Sequence, residues 1–274
     1  MIKLSILVCA ATLSTCAMAD TADILNANNQ VGIQALSEYV NYTENSNGQT
    51  LDTEKGPVPA YGIHASLMQN LWLGNDYIAM DYTHASGSTN YTGSYNGSSS
   101  GYGSVTGTSG ATIDDFTFRA GKGFAMAGNV MLTPFLELGR HDWARQPGQN
   151  AGAYSFSETY THNYYGIGGM AQYTPIRKWV LSVDALIGET FGSNINANLP
   201  PPIGISYNAD LGNSALYKIG IGVDYAFTRQ FHANIGLDYA SWNYGQSTPD
   251  QNGTYEPNSQ TAITTAKIGI GYAF

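Results

Sequence analysis

Residues 262–274 read Ala-Ile-Thr-Thr-Ala-Lys-Ile-Gly-Ile-Gly-Tyr-Ala-Phe. Successive side chains of a strand point to opposite faces. Ala266, Ile268, Ile270, Tyr272 and Phe274 therefore share one face, and Lys267, Gly269, Gly271 and Ala273 the other. The two faces expect different surroundings, one greasy and one small or charged. The same design occurs earlier. Lys218-Ile219-Gly220-Ile221-Gly222 matches Lys267-Ile268-Gly269-Ile270-Gly271, and both stretches finish Tyr-Ala-Phe. Val223-Asp224 is inserted in the earlier copy. An insertion of two residues preserves the facing, so the copies expect one direction and one environment.

A strand that closes on an aromatic, with no polar tail, resembles the last strand of bacterial outer-membrane β-barrels. The resemblance implies an all-β fold, a transmembrane antiparallel up-and-down barrel with its apolar face on lipid and a tight polar interior. It also implies a Gram-negative outer-membrane location. Tyr272 and Phe274 then serve as the signal read by the barrel-assembly machinery. The competing reading is a soluble barrel or sandwich with a tyrosine-rich surface.

Composition favours the membrane. Charged residues are 11% of the 274, against 32 Gly, 20 Tyr and 9 Phe. A soluble domain carries nearer a quarter charged residues. Residues 1–19 form an export segment, with Lys3 as the positive start, an apolar run from Leu4 to Thr12, and Ala17-Met18-Ala19 as the cleavage signal. Cleavage is expected before Asp20. Both cysteines, Cys9 and Cys16, lie in the part removed, which excludes disulfides and thiol chemistry. A lipoprotein acylated at Cys16 is the rival, and Thr15 is large for the position before such a cysteine. Losing Lys3 takes the formal charge one unit below −9, which argues against nucleic acid as a partner. The expected partners are outer-membrane lipid, the assembly machinery and a ligand at the extracellular surface.

The segment 20–30 reads as a short periplasmic lead and 31–274 as the barrel. Period-two alternation marks strands beginning near Val31, Tyr61, Tyr77, Ile113, Val130, Trp179, Leu216 and Phe231. One more ends at Tyr173, and the last is residues 262–274. The count is about ten, with eight as the runner-up. Short turns alternate with long polar stretches at 44–59, 87–111, 142–157, 192–212 and 243–260, which are expected to be extracellular loops. Residues 125–129 read as a tight turn. Aromatics gather near one set of strand ends (Trp72, Phe124, Tyr173, Trp179, Phe227, Phe231, Phe274) and near the other (Tyr39, Tyr82, Phe116, Tyr217, Tyr239). Two interfacial girdles are expected.

Little carries chemistry. Parity turns His141 and His162 inward near the outer strand ends, with Glu158 nearby in sequence; two imidazoles and a carboxylate are a metal or general-base pattern. Ordinary lumen lining explains them better, and no cofactor is called for. Ten-stranded outer-membrane proteases, the omptins, build acid and histidine sites at the mouth, but nothing beyond strand count matches them here. Inside the barrel, Lys218, Asp238 and Lys267 are expected at one height, with Asp238 between the two lysines. Arg119 and Glu137 are expected to pair on adjacent strands. The resulting reading is a non-enzymatic barrel with a charged, largely plugged interior and Gly/Ser/Tyr-rich outer loops, serving surface interaction, adhesion or envelope structure. The alternatives are a narrow, porin-like channel of low conductance and, behind it, a mouth-sited hydrolase.

Overall fold

β1 (Gln30–Ser46) and β12 (Asn258–Ala273) lie antiparallel and close a ring, with Ile33 opposite Ile270 and Ala35 opposite Ile268. The structure, a computed structural model, describes residues 20–94, 101–149, 156–199, 204–250 and 253–274. The export segment and prolines 200–202 lie outside the described residues. Between the closing pair run β2 (Gln49–Gln69), β3 (Asp76–Gly93), β4 (Val105–Lys122), β5 (Phe124–Ala127), β6 (Val130–Gln149), β7 (Ser157–Tyr173), β8 (Trp179–Leu199), β9 (Ile205–Asp210), β10 (Ala215–Ala226) and β11 (Phe231–Tyr244). Each wall strand pairs with the next in sequence, except that β4 passes to β6 and β8 to β10. The result is a closed ten-strand antiparallel barrel. β5 continues the line of β4 along β6, so 125–129 is not simply a turn. β9 folds back on the upper part of β8. The repeated strands β10 and β12 flank β11 and share one direction.

The outer wall is apolar. Ile33, Leu136, Ile167, Ile187, Ile268 and Ile270 are each 60–62% exposed. A continuous band of this kind is unfavourable in water and matched to lipid. All the aromatics of the two expected girdles are exposed on this wall, and Tyr61 and Tyr165 join the upper ring. From Phe231 to Tyr239 the strand runs roughly 26 Å at ~3.3 Å per residue, which at the usual tilt of ~40° spans about 20 Å of a lipid-facing band ~25 Å tall. We expect Val183→Arg to cost roughly 2–4 kcal/mol of barrel stability and the inward neighbour Ser182→Arg less. Urea unfolding of the two refolded variants checks this, and the reverse order would mean the facing is off by one residue.

The polar stretches depart from expectation. Most of 44–59, 87–111, 142–157 and 192–212 is strand, continuing the wall above the upper girdle. β1 and β2 join at Asn47-Gly48, with φ of 51° and 77°. Two successive positive φ values in a two-residue Asn-Gly connection are the type I′ hairpin geometry, which suits the strand twist. Above the lipid both faces of a strand meet polar surroundings. The hydrophobic alternation disappears there while the backbone ladder continues.

The segment 20–30 holds a short helix and the first residue of β1. Thr21–Ala27 forms a helix, α1, capped by Asp20, with Ile24 and Ala27 buried. It closes the lower end of the lumen. The Asn29 side chain donates to the Met68 carbonyl at 3.0 Å and accepts from the Met68 amide at 2.9 Å. Asn28 donates to Gln172 at 2.6 Å, and the Thr21 amide reaches the Gly128 carbonyl at 2.7 Å. Buried Met68 and Met131 complete this floor.

Candidate functional site: the lumen and its mouth

Inward parity places the polar side chains of ten strands around one axis, and they form three tiers above the floor. At the level of the lipid band, Glu137 on β6 is fully buried and receives three donors. Arg119 Nε lies 2.5 Å away, Lys218 Nζ 2.7 Å and the Tyr164 hydroxyl 2.8 Å. Arg119 also meets Asp184 at 3.2 Å. Tyr164 lies flat over Gly139, where a Cβ would come within 2.3 Å of its ring. The glycine is what lets the phenol reach Glu137. Lys267 pairs with Asp238 at 2.6 Å, His64 with Asp81 at 2.7 Å, and His232 with Asp224 at 2.6 Å.

Arg119 and Glu137 stand opposite in the β4–β6 register. Lys218 and Asp238 lie on adjacent strands but do not pair, contrary to expectation. Asp238 is taken by Lys267, and the long stem of Lys218 carries its ammonium past β8 and β7 to Glu137.

The second tier lies just above the upper girdle. His141 and His162 face each other across β6 and β7, with rings 5.0 Å apart. His141 Nδ1 meets Asp115 at 2.8 Å, His162 Nδ1 meets the Tyr244 hydroxyl at 2.7 Å, and Trp242 stands edge-on 4.7 Å from His141. Glu158 is not part of this group; the carboxylate at the histidine is Asp115. Among the described residues no cluster has the make-up to hold a metal ion. Between this tier and the floor lies a cavity of about 290 Å³, lined by Glu38, Thr83, Asp115, His141 and Leu216 among others.

The third tier is the mouth, which sequence reasoning missed. Arg145 is 1% exposed and sits over the Tyr42 ring, 4.4 Å from its centroid, with Tyr160 at 5.4 Å and Trp143 at 5.8 Å. Five carboxyl groups crowd this layer. Glu158 holds Arg145 Nε at 2.6 Å, while Asp52, Glu54 and Glu44 stand 3.4–3.6 Å from its other nitrogens. Glu256 accepts hydrogen bonds from Tyr160 and, at 2.8 Å, from Tyr207. One guanidinium cannot neutralise five carboxylates. Burial pushes Asp52 up to about 7, and burial with Glu158 nearby pushes Glu256 up to about 8. Burial also raises Glu44, with Asp52 adding to it, and Glu54. Burial likewise raises the phenols of Tyr42 and Tyr160. The tier is a hydrogen-bonded layer of side chains gathered around the Arg145 guanidinium, with Glu158 as its nearest carboxyl. A signal for it does exist in the sequence. Tyr42-x-Glu44, Asp52-x-Glu54, His141-x-Trp143-x-Arg145 and Glu158-x-Tyr160-x-His162 keep the inward period of two through stretches that lack any apolar outer face.

No family model and no curated protein matches the sequence. Solved structures do match. The outer membrane protease OmpT of Escherichia coli superposes with a TM-score of 0.59 at 14% identity, over 94% of this chain and 99% of that one. Neisserial surface protein A matches with a TM-score of 0.32 at 15% identity, over 89% and 97% of the two chains. Ail, the attachment invasion locus protein of Yersinia pestis, matches with a TM-score of 0.31 at 9% identity, over 90% and 99%. The fold is that of the bacterial outer-membrane β-barrels.

Proposed function

We propose that the chain is a closed, non-enzymatic barrel of the bacterial outer membrane that presents its upper wall and outer loops to a ligand at the cell surface. The observation that carries this reading is the seal at the mouth, where Tyr42, Trp143, Arg145 and Tyr160 are all at most 1% exposed. The floor of α1 and its asparagines supports it from the other end. Side chains fill a barrel of few strands, whereas water-filled porins have sixteen or more. The sequence-level candidates for catalysis also support it. His141 and His162 are 2% and 1% exposed beneath the seal, and Glu158 is committed to Arg145. Export by the segment 1–19 and recognition of Tyr272 and Phe274 by the assembly machinery belong to the same reading. The outer connection near 94–104 is rich in Gly, Ser and Tyr, a composition that adapts to varied partners.

Planar-bilayer recording of the refolded barrel tests the closed lumen, and no ohmic steps are expected. Regular steps would replace this reading with the narrow channel. The surface role is tested in cells. Shortening 94–104 is expected to abolish attachment while leaving the heat-modifiable, folded form at its normal yield.

A further inference from the structure

The lower rim of the barrel holds a pocket of exposed cations. β8 and β10 lie side by side, so the turns below them, 174–178 and 227–230, are neighbours. Between these turns and α1 lies a pocket of about 260 Å³, lined by Asp23, Asn26, Arg177, Lys178, Thr228 and Arg229 among others. Its frame is fixed by hydrogen bonds. The Ala226 amide donates to the Lys178 carbonyl at 3.0 Å, and Lys178 Nζ donates to the Phe227 carbonyl at 3.3 Å. From α1, Asp23 accepts from the Lys178 amide at 3.3 Å and Asn26 donates to the Arg229 carbonyl at 3.0 Å. Residues three apart on a helix have Cβ atoms ~5–6 Å apart, so both turns are anchored within one helical turn of each other. Arg177, Lys178 and Arg229 are exposed, and among the described residues no carboxylate lies within ion-pair distance of any of them. Arg119, Arg140, Arg145, Lys218 and Lys267 each have such a partner. In a chain of formal charge −9, this pocket sets three positive charges against the one negative charge of Asp23.

The wall directly above the pocket is apolar. Ile176, Trp179, Phe227 and Phe231 are exposed around it, and Leu181 and Val183 continue upward along β8. We infer that the pocket binds the headgroup of a net-anionic phospholipid in the leaflet at the lower rim. The phosphodiester sits among Arg177, Lys178 and Arg229, and the acyl chains lie on Trp179, Leu181 and Phe227. The forked N–H donors of a guanidinium match two phosphate oxygens at once. Basic clusters at a membrane surface draw anionic headgroups for the same electrostatic reason. A zwitterionic phospholipid offers the same phosphate, but its ammonium brings a fourth positive charge to the pocket. A soluble phosphate has no chains to lay on the wall. The site rests on the lower rim meeting lipid, and not on the closed lumen or the surface role.

The test is native mass spectrometry of the refolded barrel in non-ionic detergent, with added phosphatidylglycerol or phosphatidylethanolamine of the same acyl chains. One phosphatidylglycerol is expected to stay bound under conditions that strip phosphatidylethanolamine. Arg177→Gln combined with Arg229→Gln is expected to raise the half-saturating phosphatidylglycerol about 30-fold. Lys122→Gln removes a charge from the same rim outside the pocket and is expected to leave binding unchanged. Heat-modifiable mobility checks that each variant is folded, and the wild-type comparison of the two lipids needs no variant. Equal retention of both lipids, no retention of either, or an equal loss in Lys122→Gln would overturn the assignment. So would displacement of phosphatidylglycerol by millimolar inorganic phosphate, which would make the pocket a site for soluble phosphate.

Discussion

Arg145→Met is expected to destabilise the barrel by about 3–5 kcal/mol near pH 8 and by distinctly less at pH 5. The substitution keeps much of the volume over the Tyr42 ring and removes the only cation that the mouth layer contains among the described residues. Glu158 loses its partner at 2.6 Å, and Asp52 loses one at 3.4 Å. At pH 5 a lost cation can be replaced by a bound proton, and at pH 8 that replacement is costly. The wild-type layer already leans this way. Unfolded carboxyls titrate near pH 4. Burial holds Asp52 at about 7 and Glu256 at about 8, so the folded barrel binds more protons than the unfolded chain between those limits. Raised carboxyl pKa values mean that stability falls as pH rises through the window from about 4 to 8, by ~1.4 kcal/mol per pH unit per group. In the variant the fall should be steeper. Urea unfolding of both proteins at pH 5 and pH 8 measures it. Equal losses at the two pH values would show that Arg145 contributes packing over Tyr42 and no charge compensation.

What could be read from the sequence follows the lipid. Leu181 and Val183 on β8, and Ile268 and Ile270 on β12, announce themselves because one face meets hydrocarbon and the other does not. The girdle aromatics are legible for the same reason. Glu44 and Glu54 belong to strands as regular as these, but their outward neighbours meet water, so composition there reads as loop. The Asn47-Gly48 turn was the available local signal that β1 and β2 run far past the membrane. Partner choice in the lumen is a different problem. Register sets Arg119 opposite Glu137, and sequence spacing suffices to guess that pair. Lys218 reaches a carboxylate three wall strands away, and such a choice depends on the barrel's circumference and stagger, which no local pattern encodes. The helix at 21–27 escaped notice because about two turns, with Ile24, Leu25 and Ala27 as their apolar residues, are too short to show a period.

Glu137→Gln is expected to cost about 3–5 kcal/mol, more than any other single change to the lumen's polar network within the lipid band. Glutamine keeps the shape but replaces an acceptor oxygen with an NH₂ group, so it meets three donors with one oxygen left to accept. Arg119 retains Asp184 at 3.2 Å, whereas Lys218 retains only the phenol of Tyr164 at 2.9 Å. The uncompensated charge is therefore that of Lys218, and Lys218→Met in the same chain is expected to recover part of the loss. Asp238→Asn breaks an ion pair as short as 2.6 Å, yet its side chains are 29% and 36% exposed to the lumen, where water screens them. Its cost is expected near ~1 kcal/mol or below. Asp210→Asn, which changes only an acceptor for the Gly212 amide in an exposed turn, should cost less again. Melting temperatures of the four variants give the order. If Lys218→Met fails to rescue Glu137→Gln, or Asp238→Asn proves the more damaging change, Glu137 is not the centre of the network.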